Sequence, residues 1–124
     1  MTYNTEKPVY LQILDYICNQ IVLNNWKTDE KIPSVRELSV TISVNPNTTF
    51  RAIERAESIG IIYIKRGLGY FVSADAKQKI EDIFKVEFFE EMLPVVFNKM
   101  LLYDISIENI EQKFIDFKSK NKKN

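Results

Sequence analysis

The stretch VNPNTTFR, from Val44 to Arg51, gathers hydrogen-bonding side chains between two segments whose apolar residues recur at helical spacing. An asparagine carboxamide offers a donor and an acceptor side by side. A threonine offers a hydroxyl and a methyl, and an arginine a planar cationic fork. Such groups suit the recognition of polar surfaces rather than bond making, and the rest of the chain supplies no catalytic partner for them. The 124 residues include no histidine, which removes the commonest general base and the commonest metal ligand together. The single cysteine, Cys18, excludes an internal disulfide and a zinc cluster. It falls among apolar positions and reads as a buried structural thiol, with a redox sensor as the alternative. Two of the three glycines lie in KRGLGYF (65–71), which is neither a phosphate-binding loop nor a dinucleotide fingerprint. Glu90 and Glu91 are adjacent, so about 100° apart on a helix, and read as solvated surface rather than as a catalytic pair. The expectation is a binding protein and not an enzyme, with no metal and no cofactor.

The elements that position these residues are legible in the apolar spacing. Tyr10, Ile13, Leu14, Ile17 and Ile21 predict an amphipathic helix over 9–24, closed by the polar turn NNWKTDEK (24–31). Ser34 stands three residues before Glu37 with Pro33 just outside, a reciprocal capping box that opens a short second helix with Val35, Leu38 and Ile42 as its buried stripe. Asn45 is the natural cap of a third helix, with Pro46 as its first residue, an end near Ser58 and Gly60 just beyond. On a helical wheel Thr49, Ala52, Ile53 and Ala56 share the core side, and Asn47, Thr48, Phe50, Arg51, Glu54 and Arg55 occupy the remainder. IIYIK (61–65) and GYFV (69–72) then predict a hairpin turning through Arg66, Gly67 and Leu68. The fold class expected is mainly α with a small β-hairpin: a winged helix-turn-helix over residues 1–73, followed by a helical dimerisation domain with a basic C-terminal tail over 74–124.

In a helix-turn-helix the front of the second helix of the pair enters the DNA major groove. Asn suits adenine, a threonine methyl packs on thymine, and Arg grips guanine or phosphate. On that reading Asn47, Thr48, Arg51 and Arg55 face the duplex. Lys65 and Arg66 at the hairpin tip reach the backbone or the flanking minor groove, and Arg36 in the first turn of the second helix clamps a phosphate. Taken singly, each feature has a plainer reading. Asn45 and Pro46 are ordinary helix-start chemistry, Arg51 and Arg55 can pair with Glu54 or Glu57, Phe50 can fold into the core, and Lys65 and Arg66 can keep an edge hairpin soluble. Lys+Arg and Asp+Glu both number 17, and the two signs stay balanced on either side of residue 73, so the DNA reading rests on placement. The balance also keeps open a rival, a winged-helix protein-interaction module.

Beyond Asp75, Ile80, Phe84, Phe88 and Met92 form one apolar stripe, and Val86, Phe89 and Leu93 form another on the opposite side. Pro94 kinks or restarts this helix, MLLY (100–103) closes the segment, and Ser106 caps a final helix carrying Ile107, Ile110, Phe114, Ile115 and Phe117. One short helix covers one face of the long one, and a second copy of the chain is the simplest cover for the other. Ile80, Phe84, Phe88, Phe89, Met92 and Val96 are the expected dimerisation residues. Apolar runs such as MLPVVF (92–97) are too short to span a bilayer, and the N-terminus carries no secretory pattern. The expected compartment is the cytoplasm, with no membrane partner.

The set PVYLQI (8–13), IPSVREL (32–38), VNPNT (44–48), RA (51–52) and KRGLGYFV (65–72) resembles the GntR family of bacterial transcription regulators. The short tail resembles that of its YtrA-type branch. The resemblance implies a homodimer on an inverted-repeat DNA operator, commonly a repressor of its own operon and often beside ABC-transporter genes. Carried over by position, it implies that Ser34, Arg36, Asn47, Thr48, Arg51, Arg66 and Gly67 touch DNA. Two positions depart from the family pattern. Pro46 stands where many members carry a basic residue, and Phe50 stands where a polar or basic one is usual. Phe50 is therefore assigned to a thymine methyl or a sugar. Other branches carry a larger C-terminal domain with a ligand cavity. A pocket of about 300 Å³ or more is hard to fit in this tail, so the site of any small-molecule effector, whose existence and identity the sequence leaves open, is expected at or near the dimer interface.

Overall fold

The computed structural model describes residues 7–121 of the chain, so residues 1–6 and the last three residues of the basic tail lie outside it. The described residues form α1 (Val9–Val22), α2 (Val35–Ile42), α3 (Pro46–Ser58), β1 (Ile62–Lys65), β2 (Gly69–Val72) and α4 (Ala76–Glu87). A single π-helical turn over Phe88–Met92, α5 (Leu93–Tyr103) and α6 (Ile107–Lys120) complete the order. The described residues divide into two compact units between Phe84 and Lys85.

Local chemistry sets the boundaries in the first unit. The Ser34 hydroxyl accepts from the Glu37 N–H at 3.1 Å, and the Glu37 carboxylate accepts from the Ser34 N–H at 2.9 Å, which opens α2. Ser43 ends it in the left-handed region with φ 57°, a tight exit that puts Pro46 at the start of α3 within three residues. Asn45 caps α3 by accepting from the Asn47 N–H at 2.8 Å. β1 and β2 pair antiparallel from Ile62–Val72 to Lys65–Gly69. A third stretch runs along β2: the Asp29 N–H donates to the Val72 carbonyl, the Val72 N–H to the Glu30 carbonyl, and the Ile32 N–H to the Tyr70 carbonyl. The hairpin is therefore tied on its open edge to the segment that leads into α2.

The core of this unit comes from every element: Ile13, Ile17, Cys18 and Ile21 of α1, Ile32, Leu38 of α2, Ala52, Ile53 and Ala56 of α3, Ile61, Ile62, Val72, and Ala76 and Ile80 of α4. Thr49 belongs to it with 0% exposure, and its hydroxyl, like that of buried Ser39, has no partner among the described residues. Burial, with the nearby Asp15 carboxylate adding to it, pushes the Cys18 thiol up to about 12 from an ordinary 9.0. A buried thiol that holds its proton this strongly is a structural group rather than a redox sensor.

The second unit is less self-sufficient. The Leu93 N–H donates to the Phe88 carbonyl, an i to i+5 bond that widens the helix by one residue just before Pro94. Proline has no N–H to continue the ladder and crowds the preceding turn, so the wider turn is where the sequence signal for a kink is realised. α6 opens on a capping box in which Ser106 and Asn109 exchange hydrogen bonds. Met100 is buried, whereas Phe97, Leu101, Leu102, Phe114 and Phe117 are exposed, Leu101 to 84%. Of the six residues expected to face a second copy, Ile80 is enclosed in the first unit with 0% exposure and Phe84 is half-buried against the same core, because the first turns of α4 complete it.

The buried groups give two predictions. Thr49→Val removes an unpaired hydroxyl and keeps the shape, so it should leave stability unchanged or raise it by up to about 1 kcal/mol in urea unfolding. Between the ordinary thiol value and about 12, the folded chain holds the Cys18 proton that the unfolded chain has lost. Stability therefore falls as pH rises through that window. In Cys18→Ala the alkaline fall, followed by denaturant unfolding from about pH 8 to 10.5, should be shallower.

Candidate nucleic-acid interface

The front of α3 carries the chemistry. Thr49, Ala52, Ile53 and Ala56 turn inward, so Asn47, Phe50, Arg51, Glu54 and Arg55 are left exposed and Thr48 half-buried. Phe50 is 43% exposed on this surface rather than folded into the core. Asn45 is spent on the cap, and the Asn47 side chain in the first turn has no hydrogen bond among the described residues. Asn47, Thr48 and Arg51 line an open depression of about 380 Å³ together with Pro8, Val9 and Tyr10 from the start of α1. Within it the Arg51 guanidinium carbon lies 4.1 Å from the centre of the Tyr10 ring. Neither Arg51 nor Arg55 forms an ion pair with Glu54 or Glu57 among the described residues.

Ser34 and Arg36 sit at the start of α2. Hydrogen bonds from Ser34, its backbone first and its side chain next, hold the Glu37 carboxyl below the ordinary carboxylate range. Glu37 is thus an anchored anion of the cap, and Arg36 projects beside it, exposed and without an ion pair among the described residues.

The hairpin tip holds Lys65, Arg66 and Gly67, all exposed. The Leu68 N–H donates to the Lys65 carbonyl at 2.8 Å and closes the turn. Gly67 takes φ +80° there with open space around it, a conformation that a side chain would strain. Lys65 is not loose: its Nζ lies 4.5 Å from the centre of the Phe71 ring, which stacks on Tyr63 at 5.9 Å. The Tyr63 hydroxyl donates to the Asp29 carboxylate at 3.0 Å, and this bond raises the phenol above its ordinary range. Leu68 at the tip is also exposed.

Two residues of this surface escaped sequence reasoning. Tyr10 carries an apolar-periodic position of α1 and reads as core, whereas its ring also forms a wall of the depression. Lys31 reads as part of a polar turn, yet it bridges to Phe71 and its Cε lies within 2.9 Å of where a Cβ on Gly69 would stand. No local signal marks either one, because both contacts join segments far apart in sequence.

Comparison with known proteins agrees with this geometry. Residues 9–72 match the model for the bacterial regulatory proteins of the gntR family. The chain is 37% identical over 91 residues to the HTH-type transcriptional regulator YhcF of Bacillus subtilis (strain 168), covering 73% of this chain and 74% of that protein. It is 34% identical over 104 residues to the HTH-type transcriptional repressor YtrA of the same strain, covering 84% of this chain and 75% of YtrA. A crystal structure of a GntR-family transcriptional regulator from Bacteroides thetaiotaomicron superposes with a TM-score of 0.78 at 38% identity, covering 91% of this chain and 98% of that one. With the match covering the winged helix from α1 to β2, this chain belongs to the GntR family and is a DNA-binding transcriptional regulator rather than an enzyme.

Proposed function

We propose that this regulator acts in the cytoplasm as a homodimer on an inverted-repeat operator and represses the genes it controls. The observation that carries the DNA part is the exposed front of α3, where Asn47, Thr48, Phe50, Arg51 and Arg55 stand outside a core that Thr49, Ala52, Ile53 and Ala56 complete. Arg51 reads a base, Asn47 and Thr48 add hydrogen bonds, and Phe50 packs on a thymine methyl or a sugar. Ser34, Arg36 and Arg55 hold the phosphate backbone, while Lys65, Arg66 and Gly67 bring the hairpin tip to the flanking groove. The name of YtrA, a repressor, supports the sign of regulation.

Residues 1–73 carry the recognition in this reading and the helices after them carry self-association. The exposed apolar residues of the second unit support a second copy as its cover. A soluble monomer seldom exposes a contiguous apolar patch much beyond a few hundred Å². Phe88, Phe89, Met92 and Val96 remain the residues assigned to that interface, joined by the exposed Val86 and Phe97. Any small-molecule effector then binds at or near the interface.

Three outcomes test the reading, the first two measured by fluorescence anisotropy on a duplex carrying the preferred site and on a scrambled one. Arg51→Ala should weaken the preferred duplex by about 1–3 kcal/mol and the scrambled one much less. Arg36→Ala should weaken both alike and lower the slope of log affinity against log salt by about 1. Equal losses in both variants undo the division between reader and clamp. Phe89→Glu combined with Val96→Glu should weaken self-association at least about thirtyfold in sedimentation equilibrium, and an unchanged dimer contradicts the interface.

A further inference from the structure

We infer that Tyr10 is a specificity-setting positioning residue, which holds the Arg51 guanidinium in the orientation from which it reads a base. The inference rests on the reading of α3 as the base-contacting helix and adds a residue outside that helix.

Tyr10 lies in the first turn of α1 and is half-buried, packed against the core of the first unit. Its ring is therefore a fixed surface. Arg51 lies on α3, exposed, with its guanidinium carbon 4.1 Å above that ring. Stacking of this kind uses the face of the guanidinium and leaves the donors, which lie in its plane, pointing outward. Those in-plane donors are the ones that grip guanine or a phosphate in a bidentate bond. A free arginine would have to be ordered when DNA arrives, and a preordered one escapes much of that entropic cost. Asn47, one helical turn before Arg51, and Thr48 share the same depression with the ring. The stack thus sets Arg51 in register with its neighbours on α3, and the wall of α1 limits the side from which a base can approach.

The test is a double-mutant cycle in the full chain, with affinity for the preferred and the scrambled duplex read by anisotropy. Tyr10→Leu should lower the preference for the preferred duplex about threefold and leave the scrambled duplex unchanged. Tyr10→Phe keeps the ring and should retain the wild-type preference. In an Arg51→Ala background Tyr10→Leu should have no further effect, since the group it orders is gone. Losses that add independently, or that fall equally on both duplexes, overturn the inference while wild-type recognition stands. Loss of preference in Tyr10→Phe equal to that in Tyr10→Leu overturns it as well, because the hydroxyl and not the stack would then be at work. A wild-type protein that does not distinguish the two duplexes removes the underlying DNA reading, and the inference with it.

Discussion

The packing of α3 against α1 is the constraint on which the rest depends. Thr49, Ala52, Ile53 and Ala56 are all buried, and with Ile13, Ile17 and Ile21 they lock the rotation of α3 about its axis. A shift by one residue turns a helix by about 100°, which would carry Arg51 toward the core and Thr49 out of it. Burying an unpaired guanidinium is costly enough to forbid the shift. Because the core fixes that angle, Asn47, Thr48, Phe50 and Arg51 emerge together on one surface. The same packing brings the first turn of α1 alongside the front of α3, and so Tyr10 beneath Arg51.

The hairpin is held by different means. It has two strands only, too few to be stable alone, and gains its rigidity from the backbone bonds of Asp29, Glu30 and Ile32 along β2 and from the burial of Ile61, Ile62 and Val72. Outside that anchorage the Tyr63, Phe71 and Lys65 side chains stack on one another, which keeps near the tip a cation that forms no ion pair among the described residues. The second unit follows an opposite logic. There the apolar residues Phe97, Leu101, Leu102, Phe114 and Phe117 stay exposed, so its helices offer a surface to bury rather than a core of their own.

Much of this was legible because its causes are local. The capping box of Ser34 and Glu37, the Asn45–Pro46 start of α3 and the glycine-bearing turn of the hairpin each involve residues a few positions apart. The wheel likewise assigned Thr49 to the core and Phe50 to the outside. What the sequence hid depends on distant segments. Tyr10 reads as one more apolar position until α1 is laid beside Arg51, and Lys31 reads as turn until it meets β2. Ile80 continues the helical stripe toward Phe88, and nothing in that periodicity marks where the stripe leaves one unit's core. The helix over 9–24 ends at Val22 because Asn24, a residue type that tolerates the left-handed region, takes φ 64° just past its end. The π-helical turn is hinted at by Pro94 alone, since an i to i+5 bond has no propensity of its own.

The most direct test of the central claim, that the front of α3 reads DNA sequence in the setting of a two-fold dimer, is selection by the pure protein from a pool of random duplexes, with the retained molecules sequenced. The account predicts enrichment of one motif as two half-sites in inverted repeat, held at a constant spacing. Retention without any enriched motif, or no retention even at low salt, would contradict it and favour a winged helix that contacts another protein.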